Sequence, residues 1–165
     1  MKSKLILFGS LAALLFLVLR IQGASLITET TPLGIIDFEF ANTPERLNKV
    51  LFGWSNADIK VNIYLDFVFI PFYVLFFSNA VQACADVWTN PAMSNLGMFL
   101  PKVVYLAGGL DLFENKMLLD SFAGSFTDTS LILTSCIAGA KFLLLLLVIL
   151  YLIMSISNLF LYKKK

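Results

Sequence analysis

The chain has 165 residues, of which 59% are hydrophobic and 14% charged, with a formal net charge of +1 and a mean hydropathy of +0.85. Soluble domains average about 45–50% apolar and about 25% charged residues, so a disordered chain, a basic nucleic-acid binder and an ordinary soluble enzyme are excluded and an integral membrane protein of one domain is indicated. Histidine is absent, which removes the commonest metal ligand and general base, and no CxxC, HExxH, GxSxG or Walker-type run stands in its place.

Lys2 and Lys4 precede an apolar run from Leu5 to about Gln22, the length of one membrane helix. A basic start followed by an apolar run also describes a signal peptide. Here Ile21-Gln22-Gly23-Ala24-Ser25 is a poor small-x-small cleavage site and Arg20 interrupts it, so an uncleaved span is expected.

Residues 24–60 are predicted to hold two short amphipathic helices at the membrane interface. Thr31-Pro32 and Thr43-Pro44 each resemble a helix start, because threonine caps and proline suits the first helical position. After Thr43, the spacing of Leu47, Val50, Leu51 and Trp54 is helical, with Gly53 as a stop. Trp54 is expected at headgroup level. Glu39, between Phe38 and Phe40, is either solvated or turned inward to a polar site.

Three more spans are predicted over about 61–82, 96–119 and 130–162. The last is longer than one crossing needs and must tilt. The expected fold class is therefore all-α: a four-helix transmembrane bundle over residues 1–165. Lysines at both ends (Lys2, Lys4, Lys163, Lys164, Lys165) place both termini in the cytoplasm. Tyr162 and the terminal lysines would anchor the inner leaflet. Cys84 and Cys136 then fall at opposite ends of the bundle, too far apart to bridge, and are expected as small buried hydrophobes.

Ionisable residues at membrane depth cost about 2.5–3.5 kcal/mol each on translocon-type scales, and this chain has several. Asp66 lies near the outer end of the second span, five residues before Pro71. Asp111, Glu114 and Asn115 share one face of the third by their i, i+3 and i, i+4 spacing, while Lys116 points elsewhere. Gly108 and Gly109 just before them permit close helix approach. Lys141 lies in the outer half of the fourth span. Antiparallel topology brings Glu39, Asp66, Asp111, Glu114, Asn115 and Lys141 to a similar depth, in one polar cluster beneath the amphipathic lid. Buried polar groups can also merely adhere helices to one another.

The second-span phenylalanines (Phe67, Phe69, Phe72, Phe76, Phe77) are expected in lipid or core packing, Leu143–Leu147 in lipid, and Trp88 as an interface anchor.

The run Thr31-Pro32-Leu33-Gly34-Ile35-Ile36 with Phe38-Glu39, Thr43-Pro44-Glu45-Arg46 with Trp54, Leu65-Asp66-Phe67 with Ile70-Pro71, and Asp111-Leu112-Phe113-Glu114-Asn115 resembles a group of small four-span bacterial membrane proteins. The resemblance covers about Thr31 to Leu119. It implies four spans and a bacterial inner membrane, and it carries no activity with it.

Three readings of function stand. The first is a non-enzymatic protein that binds, or helps move, a small polar or cationic ligand, an ion or a lipid headgroup. Asp66, Asp111 and Glu114 would supply negative charge, Asn115 a hydrogen-bonding group, and Glu39 a gate. Four spans are few for a monomeric carrier, so movement of a ligand implies a homo-oligomer. The second is an accessory subunit of a larger membrane complex. The third is a membrane enzyme that uses paired carboxylates as acid and base or to hold a divalent cation. No residue is singled out as catalytic, the metal and cofactor are left open, and the expected partners are the bilayer and other membrane subunits, not nucleic acid.

Overall fold

The computed structural model describes residues 2–162, with side chains described for 3–158. Lys163–Lys165 and the side chain of Tyr162, the expected inner-leaflet anchor, lie outside the described residues. The elements in order are α1 (Lys2–Gln22), a 3-10 turn (Gly23–Leu26), α2 (Ile35–Glu39), α3 (Pro44–Leu51), α4 (Asn56–Ala85), α5 (Pro91–Phe122) and α6 (Asp128–Tyr162), and the described residues contain no strand. Four helices, α1 with its following turn, α4, α5 and α6, are long and apolar enough to cross a membrane. The chain is thus a polytopic membrane protein built as an all-α bundle.

The long helices extend past the apolar stretches that announce them. α5 begins at Pro91 rather than near Leu96 because Asn90 accepts a hydrogen bond from Ala92 N and Pro91 occupies the first turn. Its other end is a Schellman stop: Gly124 takes φ 80°, Gly124 N donates to Ser121 O and Ser125 N to Asp120 O. α6 opens on a reciprocal cap, in which Thr127 N donates to Ser130 Oγ and Ser130 N to Thr127 Oγ1. Hydropathy marks where lipid is; capping chemistry marks where the helix is. With loops as short as 86–90 and 123–127, α4, α5 and α6 run antiparallel to their neighbours.

α1 packs along α4. The pair is antiparallel: Gly9 lies against Phe76, Phe16 meets Phe69 with centroids 6.4 Å apart, and Gln22 Nε2 donates to Asp58 O at 2.9 Å. Two apolar cores divide the molecule. One, at the cap end, joins Leu26, Phe38, Leu47, Val50 and Trp54 to Ile59, Ile63, Leu118 and Leu131. The other lies between α1, α4, α5 and α6 and includes Ile70, Val74, Val81, Leu100, Val104, Val148 and Tyr151.

The cap departs from expectation in particular places. Thr43 does cap α3, accepting from Arg46 N at 3.2 Å. Thr31 caps nothing: its hydroxyl donates to Leu26 O at 2.9 Å and accepts from Trp54 Nε1 at 3.1 Å. The first short helix starts later than Thr31-Pro32, at Ile35, after Gly34 turns the chain with φ 63°. Trp54 is not a headgroup anchor but a buried part of the cap core, with its ring edge-on to Phe38. Deep indoles need a hydrogen-bond acceptor, and Thr31 is that acceptor. Trp88 is half-buried, donating Nε1 to Ser155 Oγ at 2.9 Å. Both cysteines are free; Cys84 is half-buried, but Cys136 is exposed on α6, contrary to the expectation that both are buried. Gly108 is packed against Val74, whereas Gly109 faces open space.

Candidate functional site

α5 is buried along a strict seven-residue pattern. Gly97, Val104, Asp111 and Leu118 form one row, Leu100, Ala107, Glu114 and Ser121 a second, and Pro101, Gly108 and Asn115 a third. α6 repeats it with Thr134, Lys141, Val148 and Ser155, all buried. A sustained seven-residue period keeps one seam facing the partner helix. Asp111, Glu114 and Lys141 occupy seam positions, so their side chains point into the bundle.

On α4 a second face carries Asn62, Asp66, Phe69, Tyr73 and Phe77, at successive spacings of three or four residues. The cap supplies the last member. Asp37 Oδ2 accepts from Leu33 N at 2.8 Å, Phe40 stacks on Phe142 with centroids 6.2 Å apart, and Ser135 Oγ donates to Glu39 O at 3.2 Å. These contacts, with the Thr31–Trp54 bond, fix α2 so that Glu39 turns inward.

All six expected residues meet here. Lys141 Nζ lies 2.7 Å from Asp111 Oδ1, 2.9 Å from Glu114 Oε2 and 3.5 Å from Glu39 Oε2. Tyr73 donates its hydroxyl to Asp111 Oδ2 at 2.8 Å. Asn115 Nδ2 donates to Asp66 Oδ2 at 2.7 Å. Lys116 is exposed and pairs with Asp120, as expected of a residue on another face.

A cavity of about 440 Å³ opens beside this network, within the usual range for ligand pockets. Glu39, Asp66, Asp111, Asn115 and Lys141 line it. Glu114 does not; it is completely buried behind Lys141. The other walls are mainly apolar: Phe16 and Leu19 of α1, Phe69 and Phe77 of α4, Phe142 and Leu145 of α6, and Ile35 and Ile36 of the cap. Phe69 and Phe77 therefore serve a cavity as well as packing, and Leu145 is not a purely lipid-facing leucine.

Three polar lining residues, Arg20, Asn62 and Tyr73, fall outside the expected set. Tyr73 stands seven residues after Asp66, two turns along the same α4 face, and that i, i+7 spacing was the available signal. Arg20 lines the cavity from α1; in the sequence it is only an interruption of an apolar run.

The electrostatics are unbalanced. Glu39, Asp111 and Glu114 surround the ammonium of Lys141, and Asp66 stands beyond them on Asn115. A buried ion pair needs good hydrogen-bond geometry as well as proximity, yet Glu39 Oε2 and Glu114 Oε2 meet the ammonium as ion pairs without an aligned hydrogen bond. Glu39, outside the membrane-spanning helices, has its carboxyl pushed above its ordinary value by burial and by nearby Asp111, against the lowering effect of Lys141. Arg20 is a second cation on the cavity wall, and the four carboxyls still outnumber the two cations, an excess that protons or a further cation offset. Among the described residues no three acidic, histidine or cysteine side chains are grouped as metal ligands; the lysine ammonium occupies the focus of the carboxylates. No family model, curated protein or solved structure matches the chain.

Proposed function

We propose that this membrane protein binds a small ligand carrying a positive charge in the cavity beneath its cap, without carrying out a reaction on it. One observation carries the reading: three carboxylates share Lys141 beside a cavity of about 440 Å³, and a fourth, Asp66, lines the same cavity. A cation entering there offsets the excess of negative charge. The lysine-rich ends support an orientation with both termini in the cytoplasm and the cap on the opposite face, and the resemblance in the sequence supports a bacterial inner membrane. Movement of the ligand across the membrane requires assembly with a second copy or a larger complex, because a single cavity at one end of four spans makes no path.

Thermal unfolding of the full chain in mild detergent, against a panel of inorganic cations and small amines, tests the reading. At a hundred times Kd a ligand stabilises by about 2.7 kcal/mol. The expected result is a stabilisation present in the wild type and absent from Asp66→Asn/Asp111→Asn/Glu114→Gln. The Lys141 network also suits a second reading, a clamp joining α5, α6 and the cap in an accessory subunit. Absence of any ligand effect, with the triple variant markedly less stable, selects the clamp.

A further inference from the structure

The cavity has a direction and a side door. α1 packs along α4, and α6 along α5 and α4; the cavity occupies the interval between α1 and α6, where Phe16 and Phe142 are exposed. In a membrane that exposed interval faces lipid. Along α4 the lining runs from Asn62 to Phe77, about 22 Å at 1.5 Å per residue. The cavity is therefore elongated along α4, with apolar walls over most of its length. The polar groups are gathered toward the cap, at Asp66, Glu39 and Asn115, and the trough beyond them is bounded by Phe69, Phe77 and Leu145.

The acceptors left open define the headgroup. Asp111 uses both oxygens, on Tyr73 and Lys141. Asp66 uses one, on Asn115. Glu39 lines the cavity and touches Lys141 through Oε2 alone, at 3.5 Å. A primary ammonium has donors for both Glu39 and Asp66; a quaternary ammonium has none. Arg20, at the rim on α1, is placed to meet a phosphate, as membrane-end arginines do.

We infer that the ligand is a membrane lipid with a primary-ammonium, phosphate-bearing headgroup, an aminophospholipid, which enters from the bilayer between α1 and α6. Its ammonium lies between Glu39 and Asp66, its phosphate at Arg20, and one acyl chain along Phe69, Phe77 and Leu145. This rests on the cation-binding reading above and narrows it.

Native mass spectrometry of the full chain, released from detergent containing equimolar phosphatidylethanolamine, phosphatidylcholine and phosphatidylglycerol, is the test. A parallel thermal-unfolding arm uses soluble ethanolamine. The expected result is at least about ten-fold preference for retained phosphatidylethanolamine, the scale of one charge-assisted contact, with Glu39→Gln/Asp66→Asn abolishing the preference and Arg20→Gln reducing it. The wild-type competition stands even where a variant fails to fold. Equal retention of phosphatidylcholine, or preference for phosphatidylglycerol, overturns the inference. Stabilisation by ethanolamine without lipid preference overturns it and leaves the broader reading intact; no response to lipid or amine overturns both.

Discussion

The two halves of the α5–α6 seam share one period and hold opposite chemistry. Away from the cap, Gly97, Leu100 and Val104 meet Val148 and Tyr151. Tyr151 lies so close to Gly97 that a Cβ there would overlap its hydroxyl. Toward the cap the same rows carry Asp111 and Glu114 against Lys141. Periodicity decides which face is buried and says nothing of what the buried face is for. The apolar half shows that small and branched side chains suffice to join these helices. The polar half carries charges that membrane insertion disfavours by about 2.5–3.5 kcal/mol each, and it is this half that borders the cavity.

The comparison can be broken most sharply at Lys141. Lys141→Met leaves buried carboxyls without their ammonium, and loss of one partner from a buried ion pair costs about 3–5 kcal/mol. Thermal unfolding in detergent should show that loss, and Lys141→Met/Asp111→Asn/Glu114→Gln should recover most of it. In the apolar half, Gly97→Leu drives a side chain into Tyr151 and Ala85. Overpacking of this kind costs about 1–3 kcal/mol, measured in the same assay.

The pH response distinguishes the halves further. Glu39 is raised above its ordinary value, so the folded protein binds more protons than the unfolded one at and above pH 4.5. That proton uptake stabilises the fold most at low pH, and the stabilisation falls as pH rises from there. The groups facing Glu39 are Lys141 of α6 and Asp111 and Glu114 of α5. Glu39→Gln should flatten part of the decline in a stability–pH series; an unchanged slope contradicts the burial of that carboxyl. The smallest effect belongs to Lys116→Ala. Its partner Asp120 is on the same exposed surface, and such pairs contribute about 0–1 kcal/mol, so unfolding should shift by less than about 0.5 kcal/mol.

Much of this was legible in the sequence. The length and apolarity of four runs mark the spans, and the i, i+3, i+4 spacing of Asp111, Glu114 and Asn115 puts them on one face. Topology then brings them level with Asp66 and Lys141. Other features were not legible, for identifiable reasons. Thr31-Pro32 looks like a helix start, but the threonine hydroxyl has a tertiary partner in Trp54, twenty-three residues away, and local spacing cannot report that. Arg20 and Tyr73 are ordinary in their own segments; only packing of α1 on α4 and of α4 on α5 makes them part of one wall. The apolar boundaries fell short of the true helix ends because Asn90-Pro91 and the Thr127–Ser130 cap extend helices into polar sequence.

The central claim is that the cap and the α5–α6 seam form one coupled polar site through Glu39 and Lys141. A double-mutant cycle on Glu39→Gln and Lys141→Met, read by thermal unfolding of the full chain in detergent, tests it most directly. Residues in contact couple by about 0.5–3 kcal/mol, whereas distant sites add within about 0.3–0.5 kcal/mol. The account predicts a coupling of at least about 1 kcal/mol, with Glu39→Gln softening the cost of losing the lysine. Simple additivity of the two substitutions would contradict it.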